Sequence, residues 1–155
     1  MEQVVTTSSK GVDRSRIDRH RSLDALQELE RCAGRGAPAR ERAWLADVRA
    51  ALAALEAALA EQHGNSEAQG SPLGDIESVA PRLGNRVRQL RSRQDGLRSR
   101  ARALAEQLDA AAGDGPDIAD IRQSLQQLAD ELRYQRAREA DLVYEAYSVD
   151  LGAGD

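Results

Sequence analysis

The stretch from Val87 to Leu108 reads VRQLRSRQDGLRSRARALAEQL. Val87, Leu90, Leu97, Ala101, Leu104 and Leu108 follow one another at helical spacing, and Gln94 stands at the step where a further apolar residue is due. Apolar residues three or four apart form the inward stripe of an α-helix. The stretch from Ile118 to Ala146 carries the same pattern: Ile118, Ile121, Leu125, Leu128 and Leu132, then Gln135 and Glu139, then Leu142 and Ala146. A polar group on an inward stripe needs a partner, since leaving it buried and unpaired costs about 1–3 kcal/mol. Polar steps in two otherwise apolar stripes predict a helical bundle with a polar middle. That is where four-helix bundles hold metals and ligands.

Breakers on either side divide the chain. Residues 1–11 are polar and read as a disordered lead before a domain over 12–147. A first helix is predicted from about Asp13 to Cys32, ended by Gly34, Gly36 and Pro38. A second runs from about Arg40 to Gln62, with Leu45, Val48, Leu52, Leu55 and Leu59 as its stripe. The Gly-, Ser- and Asn-rich segment from Gly64 to Gly74 reads as a loop, and a short helix from about Ile76 to Ala80 follows. Pro81 opens the third long helix, which continues to about Ala112. Gly113 to Pro116 form a turn, Asp117 is an N-cap candidate, and the fourth helix extends to about Tyr147. Ser148 to Asp155 are left as a short acidic tail. No long segment alternates as a strand does. The expected fold is all-α, an up-down-up-down four-helix bundle.

Composition narrows the function. The chain has 155 residues and a net charge of −4, which argues against a general nucleic-acid binder. Charge is segregated: Arg82 to Arg102 hold eight arginines and one acid, whereas Ala103 onward holds twelve acids and four arginines. Neighbouring basic and acidic helices point first to intramolecular complementarity; an RNA- or phosphate-binding face is the lesser reading, since no stacking aromatics interleave with the arginines. The arginine-rich face of the third helix and the acidic Asp150-to-Asp155 tail are the candidate binding surfaces. Cys32 is the single cysteine, so no internal disulfide forms, and its place at a helix end marks it as inert. No signal peptide or membrane span is read, so a cytoplasmic protein is expected, as monomer or homodimer. Tyr134, Tyr144 and Tyr147 are expected to cap the bundle end and anchor the tail. No phosphate loop, zinc-type cysteine cluster or nucleophile with a nearby base is present, so no enzyme is expected.

The two histidines are His20 and His63. His20 stands at spacing three from both Ile17 and Leu23, which predicts a shared face. Glu67 follows His63 at i+4, one turn on if the helix continues, although Gly64, Asn65 and Ser66 favour a break. Taken alone, His63 reads as a helix-end histidine near the negative end of the dipole.

Several short runs, in order, resemble the hemerythrin-like domains. His20-Arg21-Ser22-Leu23 resembles their first-helix entry, and Leu55 to His63 with Glu67 resembles their second-helix His-xxx-Glu pair. Ala80-Pro81-Arg82-Leu83 is similar to a connection in a bacterial branch of the family. So is the ending from Glu139, with Tyr144-Glu145-Ala146-Tyr147 and then Asp150 to Asp155. The resemblance implies a non-haem di-iron site inside the bundle, held by several histidines and two carboxylates and used to bind or sense O2. Of that ligand set His20, His63 and Glu67 match. Gln94 and Arg98 stand where the family has a His-xxx-His pair, and Gln135 stands where it has a histidine. The carboxylate that should follow falls on Ala140, with Glu139 and Asp141 nearby.

Glutamine donates weakly to iron, and Arg98 would set a positive charge beside a dication. The expectation is a hemerythrin-like domain whose di-iron site is degenerate and metal-free, with Gln94, Arg98 and Gln135 as its vestigial pocket. Gln94, Gln135 and His20 would form a hydrogen-bonded network there, and Glu139 would pair with Arg98. Its role would be non-catalytic binding or regulation through a protein partner. The competing reading is an O2 or iron sensor that uses residual ligands His20, His63, Glu67 and Glu139. The third is a structural helical adaptor.

Overall fold

The computed structural model describes residues 17, 20–36, 38–67, 72–110 and 117–152. The expected lead over 1–11 and the turn from Gly113 to Pro116 lie outside the described residues. What is described is all-α, with no strand among the described residues.

Helix α1 covers residues 20–34 and turns Ser22, Leu26, Leu29 and Cys32 inward. Helix α2 (Glu41–Glu67) buries Trp44, Leu45, Val48, Leu52 and Leu55. Between them Ala39 adopts φ 61, the left-handed region an alanine seldom visits. Helix α3 (Pro72–Val79) is short and leads through a 3-10 turn (Pro81–Leu83) into α4 (Gly84–Ala110). Helix α5 (Ile118–Gly152) is the longest. Asp117 caps it: its Oδ1 accepts from the backbone N–H groups of Ala119 at 3.1 Å and Asp120 at 3.4 Å. Those bonds satisfy amides that a helix start otherwise leaves unpaired.

Side-chain pairs fix the relative directions. Arg49 of α2 donates to the Leu108 carbonyl of α4 at 2.5 Å, while His63, further along α2, sits 3.5 Å from Asp95. The two helices therefore run antiparallel. On α4 and α5, Arg86 meets Glu145 and Arg100 meets Glu131, which is again antiparallel. Helix α1 is tied to α2 by Arg21 and Glu61 and to α5 by Glu30 and Arg133. Arg122 of α5 also donates to the Arg35 carbonyl just past α1, at 2.6 Å, and lies over the Trp44 ring.

The apolar interior is in two parts. The larger joins α1 and α2 to the later half of α4 and the earlier half of α5, from Leu97 to Leu108 and from Ile121 to Leu132. The smaller joins α3 and the 3-10 turn to the other halves: Leu73, Ile76, Leu83, Val87 and Leu90 meet Leu142 and Ala146. Each leucine buried in either part contributes roughly 1.5–3 kcal/mol. Helices α4 and α5 pass through both parts, and their polar steps fall at the junction.

Three boundaries differ from the sequence reading. Helix α2 does not stop near Gln62 but continues through Gly64 to Glu67. A glycine in a helix interior costs about 1 kcal/mol relative to alanine, which His63 packed beside Asp95 of α4 can offset. Helix α3 begins at Pro72, not near Ile76, because Leu73 and Ile76 both enter the smaller core. Helix α5 runs on past Tyr147 to Gly152, so the expected tail from Ser148 is helical as far as that residue. Its last residues, 153–155, lie outside the described residues.

Candidate functional site

The junction between the two cores contains a cavity of about 40 Å³. A water needs about 10–15 Å³, so the space suits a few waters or a small ion and not an organic ligand. Its apolar wall is Leu26, Leu55, Leu59, Leu97 and Leu132. Its polar wall includes Gln94 and Arg98 from α4 and Gln135, Arg136 and Glu139 from α5, with His63 from α2 and Ser22 from α1.

Gln135 is 5% exposed and its Nε2 donates to the Leu90 carbonyl of α4 at 2.8 Å. That bond ties α5 to α4 where their apolar stripes are interrupted. Glu139 is also buried, one turn further along α5. Gln94 is half-buried. Arg98 lies 3.7 Å from Asp95 on its own helix, and the His63 Nδ1 approaches the same carboxylate at 3.5 Å. Asp95 thus sits between an imidazole and a guanidinium at the edge of the cavity. Arg136 carries a buried Nη1 with no hydrogen-bond partner.

The structure brings together His63, Gln94, Arg98, Gln135 and Glu139 around one space. It does not bring His20 there. His20 is exposed, and the expectation of an inward His20 is corrected. The reason is helical phase: Ser22, Leu26, Leu29 and Cys32 are the buried stripe of α1, while Ile17 is 53% exposed and shares the outer side with His20. His20 therefore joins no network with the glutamines, and Gln135 bonds to backbone instead. The expected pairing of Arg98 with Glu139 is likewise replaced by Arg98 with Asp95. For Glu67 the backbone is helical, one turn beyond His63; its side chain lies outside the described residues.

The described donors alone do not make up a di-iron ligand set. Among the described residues lining the cavity there is one imidazole and one carboxylate, beside two guanidinium groups and three carboxamides. Two irons need several imidazoles and bridging carboxylates, and guanidinium cannot ligate at all. Among the described residues no three of His, Cys, Asp and Glu converge as metal ligands would.

Arg136 and Ser22 were missed by sequence reasoning. Arg136 follows Leu132 by four residues and Ser22 precedes Leu26 by four, so helical spacing alone would have found both. Cys32 is buried, its Sγ lies 3.4 Å from Glu28, and burial followed by that carboxylate pushes the thiol pKa up. A buried thiol kept protonated is a poor nucleophile. Tyr134 and Tyr144 are exposed, at 54% and 74%, and so do not cap the bundle as expected. Tyr147 is less exposed, and burial and then Asp75 of α3 raise its pKa.

No protein-family model, curated protein or solved structure matches the chain. Among the described residues no helix is long and apolar enough to cross a membrane.

Proposed function

We propose that the chain is a non-catalytic binding or regulatory module: an up-down-up-down four-helix bundle of hemerythrin-like ancestry whose metal pocket has been vacated. The observation that carries this reading is the lining of the cavity. Gln94, Arg98, Gln135 and Arg136 line one cavity midway along the bundle, the region where a helical bundle would hold a metal. Two arginines on its wall, only one of them (Arg98) answered by a nearby carboxylate among the described residues, oppose a dication, and the glutamines are weak donors. Redox cycling of iron needs imidazoles to fix geometry and potential, and His63 alone does not supply them. In this reading the polar junction keeps α4 and α5 in register, through the Gln135 bond to Leu90, and leaves recognition to the surface.

One observation favours the sensor reading. Helix α2 continues through Glu67, so positions 63 and 67 lie one turn apart on a common face. Together with Glu139 they would form a partial ligand set, open to a single metal ion.

Metal analysis separates the two. Protein purified in air is assayed for iron, zinc and manganese per chain, and its visible spectrum is recorded. The vacated bundle gives no stoichiometric metal, no charge-transfer bands and an intact helical circular dichroism signal. Stoichiometric iron with charge-transfer absorption would overturn it in favour of the sensor.

A further inference from the structure

Most arginines of the 3-10 turn and α4 already have a partner. Arg82 and Arg86 share Glu145, Arg91 meets Glu77, Arg98 meets Asp95, Arg100 meets Glu131 and Arg102 meets Glu106. Arg88 donates to Asn85. Arg93 has no side-chain partner of either kind among the described residues, and Arg138 on α5 has no carboxylate partner there. These two line the same notch between α4 and α5, a space of about 30 Å³ whose other walls are Arg86, Gln89, Leu90 and Leu142. The Arg138 guanidinium rests over the Tyr134 ring, 5.7 Å from its centroid, which limits its freedom.

Three arginines and one glutamine thus line the notch, and no acidic residue among the described ones does. Glu145 answers Arg86 from outside, shared with Arg82. Gathering like charges in a concave site is unfavourable unless an anion offsets them. Guanidinium forks match phosphoryl oxygens in shape and charge, and here arginines of two helices line one notch.

We infer that the α4–α5 notch binds the terminal phosphoryl group of a small soluble phosphate compound. Arg93 and Arg138 are its principal ligands, Arg86 adds charge and Gln89 offers an amide donor. The notch admits a phosphoryl group and leaves the rest of the compound outside. The arginines are exposed, so binding weakens with salt. A nucleic-acid strand is served less well, because tracking its backbone takes a row of available cations and most neighbouring arginines are already paired. This inference rests on the chain being a binding module; it needs neither the ancestry nor the vacated pocket.

Isothermal titration of the full chain with inorganic pyrophosphate, in buffer free of divalent metal, tests it. The native protein is expected to bind, more weakly as salt rises. The double substitution Arg93→Gln with Arg138→Gln is expected to bind about tenfold more weakly or not at all, the scale of losing charge-assisted hydrogen bonds. Arg102→Gln, an exposed arginine outside the notch, should bind as the native protein does. Arg138→Lys should fall between, keeping charge but losing the fork. All variants should retain native helical circular dichroism, since the altered side chains are exposed. Absent binding by the native protein, undiminished binding by the double variant, or an equal loss in Arg102→Gln would each overturn the assignment. So would tighter binding of a single-stranded RNA oligonucleotide than of pyrophosphate through the same two arginines. Iron found in the native protein would end the vacated-pocket reading and leave the notch standing; failed pyrophosphate binding would end the notch alone.

Discussion

Gln94 and Gln135 look alike in the sequence and differ in the structure. Gln135 is buried and bonded to the Leu90 carbonyl, whereas Gln94 is half-buried at the cavity wall. Gln135→Ala should therefore destabilise the protein by roughly 1–3 kcal/mol, through a lost hydrogen bond and lost packing. Gln94→Leu should leave stability equal or higher, because it adds apolar surface beside Leu97 and removes no such bond. Urea denaturation followed by Trp44 fluorescence checks both; equal effects would mean the two glutamines play one role. Glu145 offers a pH test. The Arg86 guanidinium, and then Arg82, holds its carboxyl below the ordinary range. A lowered carboxylate contributes stability above its ordinary pKa and loses it as pH falls through the lowered value. Arg86→Gln should shift the acid-unfolding midpoint slightly upward in pH, and an unchanged midpoint would leave the pair without effect. At this scale the burial of Gln135 and Glu139 was legible from their places three and seven residues beyond Leu132. The direction of His20 was not, because α1 carries two apolar lines and only packing chooses between them.

Among the elements, α2 shows where local reading fails. Gly64, Asn65 and Ser66 are poor helix residues, yet the helix passes through them, with His63 held against Asp95 of α4. Nothing lies within 4 Å of a Cβ placed on Gly64. Gly64→Ala should then stabilise the protein by about 0.5–1 kcal/mol, as an alanine does in an open helix position. A loss of stability would mean the segment is not helical in solution. The start of α5 was legible, since Asp117 follows a glycine–proline breaker and precedes an apolar stripe. Asp117→Ala should cost about 1 kcal/mol by freeing the amides of Ala119 and Asp120. Thermal unfolding monitored by circular dichroism reads both changes, and an unchanged melting point for Asp117→Ala would remove the cap from the account of α5.

For the whole molecule, helical content was legible from periodicity, but the division of the interior was not. Helix α3 reads as a minor connector, and only its packing reveals a second apolar core with Leu83, Val87 and Leu142. The polar steps of α4 and α5 fall where that core meets the larger one, and the cavity opens there. The central claim is that this cavity is a metal site emptied of its ligands by substitution. Restoring the ligands tests it most directly. The triple variant Gln94→His, Arg98→His and Gln135→His is purified beside the native protein, each is given ferrous iron without oxygen and then exposed to air, and bound iron and visible absorption are measured. The expected result is iron uptake with charge-transfer bands in the triple variant and neither in the native chain. A folded triple variant that takes up no iron, or a native chain that takes up as much, would contradict the claim.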